Sequence, residues 1–425
     1  MRSLILCLIL TASGLRAGGQ SLDECRRLAR EHYPEIRRYD LISLSAQYDL
    51  SNAAKAWIPQ VSLSGQLSWQ SATPTFPASF GAMLAANGVE MSGIRKDQYK
   101  VAVDVSQTIW DGGQSRATRA LTEAEAEEER RRVDVDLYDL QARIDNLYFG
   151  ILLLEEREAQ TKAQIGLLES NLARIRTCVR NGVALQSDAD AVEAELLSAR
   201  QMLVQIGASR TSFRQMLEIF IGRPLDRERL ERPSMPEMAD RSLERPELAL
   251  FEAQARRIDV RRRAIRSSLM PRFQAFAQGY YGYPGLDLFQ SMMSADWKLN
   301  ALVGVRMSWN IGAFYTRRNN LEKLHTAQRQ IDVQRDLFAF NTRMQTTREE
   351  GEIARLRQTV ETDSRIVELR RSVRMAAESQ LENGVIETTD LLRKITDETA
   401  AALNRSTHEI ELLQALYQLK HTLNQ

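Results

Sequence analysis

Residues 137–179 read LYDLQARIDNLYFGILLLEEREAQTKAQIGLLESNLARIRTCV. Apolar side chains recur at Leu137, Leu140, Ile144, Leu147, Ile151 and Leu154. Past two polar slots, Glu158 and Thr161, they resume at Ile165, Leu168, Leu172, Ile175 and Val179. The steps alternate three and four without slipping, which is a sustained coiled-coil heptad. A second run, from Val192 through Leu196, Ala199, Leu203, Ile206 and the polar Arg210 to Phe213, Leu217 and Phe220, keeps the same register. Helix over residues 114–180 would measure roughly 100 Å at about 1.5 Å per residue, longer than a compact soluble domain. Residues 317–381 and 388–423 predict a second long pair with a noisier heptad.

Working outward from these helices, the chain repeats itself. Arg180-Asn181-Gly182-Val183 returns as Glu382-Asn383-Gly384-Val385, each followed by a hydroxyl and an acid, Ser187-Asp188 and Thr389-Asp390. Ile58-Pro59-Gln60-Val61 is echoed by Met270-Pro271-Arg272-Phe273, and Trp110-Asp111-Gly112 by Asn310-Ile311-Gly312. The period is roughly 200 residues, so the chain is two similar halves in tandem. The first half spans residues 21–221, with a strand pair at about 58–110 and a long helix pair at about 113–221. The second spans 247–425, with strands at about 271–311 and helices at about 313–423. Between them residues 222–246 hold Pro224, Pro233, Pro236 and Pro246 and form a linker expected on the outside of the helical body.

The strand segments alternate. Val61, Leu63, Gly65, Leu67 and Trp69 occupy one face, with Ser62, Ser64, Gln66, Ser68 and Gln70 on the other. Tyr99, Val101, Val103 and Val105 do the same, as do Ala301, Val303, Val305, Met307 and Trp309. Period two is the mark of a β-strand. The segment 273–283 alternates less well, because Phe276 falls on the polar face. Arg306 is expected on the polar face. Strands of about ten residues with aromatics near their ends suit a membrane barrel, and Trp69, Tyr99, Trp110, Tyr280, Tyr281 and Trp309 stand where interfacial girdles sit. Locally, the edge of a soluble β-sandwich with one wet face fits equally well.

Composition narrows the class. The 425 residues carry 57 Lys+Arg against 56 Asp+Glu, a net charge of +1, so no strong field points to nucleic acid. Only 10 Pro and 21 Gly fit long uninterrupted elements, and 3 Cys without a CxxC argue against a zinc module or disulfide framework. Residues 1–17, with Arg2, an apolar run over Leu4–Leu10 and small residues to Ala17, read as a secretory signal; an uncleaved anchor is the alternative. Past it no apolar run of about 18 residues exists, so no transmembrane helix is expected. The histidines, His32, His325, His408 and His421, are scattered at no ligand spacing, and Cys25 and Cys178 are expected unpaired. No GxSxG, HExxH or phosphate loop is present, so neither an enzyme nor a cofactor is expected.

Four strands cannot close a barrel, and an open sheet edge cannot sit in hydrocarbon. Single-chain barrels begin at about eight strands, so several copies must share one barrel. The strand–helix junctions Ile109-Trp110-Asp111-Gly112-Gly113 and Trp309-Asn310-Ile311-Gly312, the twofold repeat and the paired Asn-Gly-Val turns together resemble the TolC-type outer-membrane factor (outer membrane efflux protein) family. The resemblance covers the chain from about Ser21 to Leu423. It implies a mainly α fold in which long coiled-coil helices form a periplasmic α-barrel. Four strands per chain would contribute to a twelve-stranded β-barrel in a homotrimer embedded in outer-membrane lipid. It implies passive export through the outer membrane of a Gram-negative-type bacterium, with a periplasmic adaptor and, through it, an inner-membrane transporter as partners.

The Asn-Gly turns join the helix pairs, and glycine supplies the left-handed backbone such a hairpin needs. Ser187 and Thr389 stand where helix N-caps are expected. The resemblance implies more: Gly182, Val183, Ser187, Gly384, Val385 and Thr389 would dock the adaptor's helical hairpins at the periplasmic tip. Asp390 would contribute to an inward acidic ring narrowing the entrance, or it is a solvated helix-start acid favoured by the dipole. Where the family often has a second Asp, this sequence has Arg393, which makes the ring mixed or allows an Asp390–Arg393 contact. Residues 73–98 read as an extracellular loop, with Phe76, Phe80 and Met83 expected to pack between neighbouring loops, the alternative being that they fold the loop over the mouth. The competing reading is a periplasmic coiled-coil adaptor without a channel, and a soluble secreted scaffold is a third; the two separated strand pairs argue against both.

Overall fold

In the computed structural model, residues 20–89, 93–225, 230–236 and 244–424 are described; the signal segment 1–17 lies outside them. The order of elements shows the repeat directly. The first half runs α1 (Leu22–His32), a 3-10 turn (Pro34–Arg37), α2 (Arg38–Lys55), β1 (Gln60–Trp69), α3 (Ala78–Ala86), β2 (Asp97–Trp110), α4 (Gln114–Arg180) and α5 (Gln186–Ile221). The second runs α6 (Pro246–Ser268), β3 (Arg272–Tyr283), α7 (Leu288–Met293), β4 (Lys298–Ser308), α8 (Ala313–Glu382) and α9 (Thr388–Leu423). α4 and α8 are 67 and 70 residues long. Their length follows from sequences free of proline, with their glycines confined to isolated positions. No helix among the described residues is long and apolar enough to cross a membrane.

Two compact units divide the chain. One comprises Tyr39–Arg131 and Ala249–Arg335. It holds a four-stranded antiparallel sheet in the order β1-β2-β3-β4. The register lines up the alternation found in the sequence. Val61 faces Val105, which faces Ala277, which faces Val303; one step along, Leu63, Val103, Gly279 and Ala301 form the next row. These residues share one face, and it is open: Leu63 is 74%, Leu67 82%, Leu299 81% and Val303 76% exposed. The other face carries Ser62, Asp104 and Gln278 in one row and Gln66, Lys100 and Lys298 in another. Asp104 accepts hydrogen bonds from Ser64 and Gln278 there.

Phe276, which breaks the alternation in the sequence, sits on this polar face for a reason. The Arg306 guanidinium lies 4.9 Å from its ring centre, a cation–π contact. Gly304, directly opposite Phe276, has no side chain to obstruct the ring. Arg306 therefore takes the face expected of it.

All four strand–helix junctions lie at one end of the sheet, because the strands run alternately up and down. At the β2–α4 junction Gly112 adopts φ +68, and a Cβ there would collide with Met270. Asp111 is buried and accepts from the Gly113 and Ser115 amides at 2.8 and 2.6 Å. Burial opposes its charge, but these hydrogen bonds win and hold its carboxyl below the ordinary value. The opposite end bears the 70–96 and 284–297 connections. Each contains a short helix, α3 or α7, that periodicity did not reveal. Phe76 packs between the two neighbouring loops, against Phe289 of the 284–297 connection, and also against Phe80 and the cluster of Ile94, Tyr283 and Met292. Phe80 and Met83 remain exposed.

The other unit comprises Met1–Arg38, Arg132–Leu248 and Asp336–Gln425. Leu168, Leu172 and Ile175 of α4 interlock with Ala189, Val192, Leu196 and Ala199 of α5. Ile353 and Leu356 of α8 pack with Leu412, Leu416, Leu419 and Leu423 of α9. α1 is capped by Ser21, whose hydroxyl accepts from the Glu24 amide at 3.3 Å. Its Arg26 pairs with the buried Asp145 of α4. The described parts of the 222–246 linker pack down: Leu225 and Leu230 are buried, the Tyr148 hydroxyl reaches the Glu231 carbonyl at 2.6 Å, and Tyr417 donates to Ser234.

Candidate functional site

The two Asn-Gly turns belong to the same unit and have the same geometry. The Val183 amide reaches back to the Cys178 carbonyl at 2.9 Å, and the Gly182 amide to Val179 at 3.0 Å. In the second turn Val385 bonds to Gln380 at 2.8 Å and Gly384 to Leu381 at 3.0 Å. This double bond pattern is a Schellman motif, which satisfies the last carbonyls of α4 and α8. It requires a left-handed residue, and Gly182 and Gly384 supply it at φ +73 and +69. Neither glycine has an atom within 4 Å of where a Cβ would stand. The constraint on them is therefore backbone shape, not space.

The expected N-caps are corrected. α5 begins at Gln186 with Leu185 as its cap, and α9 at Thr388 with Glu387, so Ser187 and Thr389 each stand at the second helical position. In α5 the cap work passes to Asp188, whose carboxylate accepts from the Leu185 amide at 3.0 Å. Asp390 is its counterpart in α9, yet its carboxylate makes no such bond among the described residues. It is exposed, as is Arg393, and the two form no ion pair there.

The turns leave apolar side chains in the open. Val183 is 77% and Val385 69% exposed, and Leu185 stands out beside them. Between the two turns runs a groove of about 820 Å³, lined by Ile175, Cys178, Val183, Leu185, Leu381 and Ile386 among others. Arg174 of α4 pairs with Glu382 of α8 at 3.1 Å on its wall. Leu381 and Ile386 pack on a cluster of Ala377, Leu391 and Ile395 that fixes α9 to α8. The structure thus brings Gly182, Val183 and Gly384 to one groove, while Val385, Ser187 and Thr389 are exposed outside its lining. Sequence reasoning missed Leu185 and Ile386. The available signal was an apolar residue at each position between turn and helix, where a solvated loop would carry a polar one.

Cys25 and Cys178 are both free. Cys25 is fully buried, and burial pushes its thiol up to about 12.

A sheet open at both edges, apolar on one face and joined at one end to long coiled-coil hairpins, defines the class of outer-membrane channel. The outer-membrane channel OprN matches with a TM-score of 0.69 at 13% identity, covering 95% of this chain and 89% of that one. VceC of Vibrio cholerae matches at 0.66 and 14% identity, over 95% of each chain. The open state of the MtrE channel of Neisseria gonorrhoeae matches at 0.68 and 16% identity, over 95% and 88%. No curated protein matches the sequence. The family model for outer membrane efflux proteins matches residues 26–223, the first repeat. The first repeat is thus similar to outer membrane efflux proteins, and the second repeat carries the same fold. The chain is an outer-membrane channel protein and not an enzyme.

Proposed function

We propose that this chain is the exit duct of a tripartite efflux pump or type I secretion system, passively conducting cargo from the periplasmic side to the exterior. The observation that carries the reading is the sheet. It is apolar on one face, polar on the other, and neither β1 nor β4 has a strand beyond it among the described residues. In hydrocarbon those edges must be paired. Because the sheet has an even number of strands alternating in direction, copies joined β4 to β1 keep every pair antiparallel and close without an edge. Three copies give a twelve-stranded barrel, the homotrimer that the family resemblance implies.

The tip groove is the docking site for a periplasmic adaptor's helical hairpins. Gly182, Val183 and Gly384 line it, the exposed Ser187, Val385 and Thr389 extend the contact surface beyond it, and an inner-membrane transporter is reached through the adaptor. Open glycine positions and exposed valines suit an apolar helix laid between the turns. Asp390, whose carboxylate is not used in capping, is free to join an entrance ring with Arg393 beside it. Such a ring is mixed in charge, so it confers weaker cation preference than carboxylates alone.

The docking assignment is tested by Gly182→Trp combined with Gly384→Trp, scored by export in cells. Loss of export with normal outer-membrane trimer supports it; intact export rejects it. For the ring, Asp390→Asn is expected to alter single-channel conductance and its block by divalent cations, and unchanged values reject it.

A further inference from the structure

At the junction end of the sheet the sequence is one-sidedly basic. Residues 50–60, 110–121, 262–272 and 308–320 hold one carboxylate, Asp111, with Asp49, Glu123, Asp259 and Glu322 just beyond them and Asp259 paired with Arg262. The Asp111 carboxylate is buried and spent on the Gly113 and Ser115 amides. Around it stand Arg116 and Arg119 at the start of α4, Arg266 and Arg272 across the α6–β3 junction, and Arg317 and Arg318 at the start of α8. All six are exposed, and none forms an ion pair among the described residues. The opposite end reverses the balance: among the described residues its two connections, within 70–97 and 284–297, hold Asp97, Asp287 and Asp296 against Arg95 and Lys96. There Arg95 is already paired with Asp97 at 2.6 Å.

The basic cluster begins where the apolar face ends. Trp57, Trp110 and Trp309 are each more than two-fifths exposed at the junctions, and Tyr315 is 83% exposed just beyond. Aromatic rings at such a border sit at headgroup level. Guanidiniums immediately past them lie where lipid phosphates lie, and arginine binds phosphate through two parallel hydrogen bonds.

We infer that this junction belt binds anionic phospholipid headgroups of the leaflet on the helix side of the membrane. It is a lipid-selective collar that sets how deep the barrel sits. This rests on the proposed membrane barrel. The occupant is a lipid because Arg116, Arg119, Arg266, Arg317 and Arg318 are exposed just past the exposed junction aromatics, with Arg272 on the polar face of the sheet, and none of the six is ion-paired among the described residues.

The test uses the full-length protein reconstituted into vesicles of phosphatidylethanolamine alone or mixed with phosphatidylglycerol. The lipid retained is read by native mass spectrometry after gentle extraction. The expected result is selective retention of phosphatidylglycerol, weakened by salt. Arg116→Gln, Arg119→Gln, Arg317→Gln and Arg318→Gln combined should lower that enrichment by on the order of tenfold or more, since each cation near an anionic surface contributes separately. As a control for folding, the quadruple variant is checked for normal oligomer mass. Equal retention of both lipids by the wild type, or undiminished enrichment in a folded variant, overturns the collar. If instead the arginines pair with acids of a neighbouring copy, the variant loses oligomer without any lipid preference in the wild type, which also overturns it. Failure to insert into either vesicle contradicts the barrel itself and is read separately from lipid choice.

Discussion

Gly182 and Gly384 separate shape from contact. Their positive φ costs any other residue about 1–2 kcal/mol, while the space around them is empty. Gly182→Ala and Gly384→Ala are therefore expected to lower the thermal midpoint modestly. Val183→Asp with Val385→Asp touches only exposed side chains and should leave the midpoint in place while abolishing export. A drop in stability from the valine pair would contradict this division. His421 offers a second test at this scale. It stacks on Tyr138 with ring centres 4.2 Å apart. Burial first, then the charges of Arg245 and Arg26, lower it from 6.5 to about 4, with Glu247 opposing. Its depressed value means that the fold prefers the neutral ring. That contribution is whole above about pH 6.5 and is lost as pH falls toward about 4. Buried Glu349 acts in the opposite sense, because burial raises its carboxyl. Thermal melts across pH 7 to 4 should show an acid loss that is smaller in His421→Gln. Equal losses would show that the ring's desolvation does not matter.

The elements differ between the repeats in a way that governs how firmly each hairpin is held. The α4–α5 seam is apolar over residues 168–199, and further along it Glu158 and Glu155 of α4 pair with Arg210 and Arg214 of α5. In α8, Thr342, Glu349, Leu356 and Asp363 are buried at heptad steps, so polar groups occupy core positions. Each finds a partner: Glu349 accepts from Thr422 at 3.0 Å and Gln345 at 2.9 Å, and Asp363 meets His408 of α9. This is the physical origin of the noisier heptad in the second half. A periodicity search sees only apolar residues, and the register survives in the positions rather than in their polarity. A buried pair contributes little net stability, yet removing one partner strands the other. Asp363→Ala should thus destabilise the α8–α9 hairpin more than Asp363→Leu with His408→Leu. Hydrogen exchange is expected to be faster in α9 around His408 than in the apolar stretch of α5 over residues 189–199. Slower exchange in α9 would refute the comparison.

The same limit explains what else was legible. The strands, their faces and the long helices were readable because alternation and heptads extend over many residues. The helix caps were not, since Asp188 took the role expected of Ser187 through a bond that only the turn geometry reveals. α3 and α7 escaped notice because one or two turns cannot establish a period. Phe276 looked like a fault until Arg306 and Gly304 were placed around it.

For the whole molecule, the decisive feature is that, among the described residues, the sheet ends in two unpaired edges and an exposed apolar face. Neither is tolerable in a membrane for one copy, and both are resolved by closure among several. Export, docking at the tip and the lipid collar all presuppose that closure. The direct measurement is the mass of the detergent-solubilised protein by light scattering, corrected for bound detergent. The account predicts three protomers and a particle that cannot be kept in solution without detergent. A monomer or dimer stable in plain buffer would contradict it and leave a periplasmic coiled-coil protein in its place.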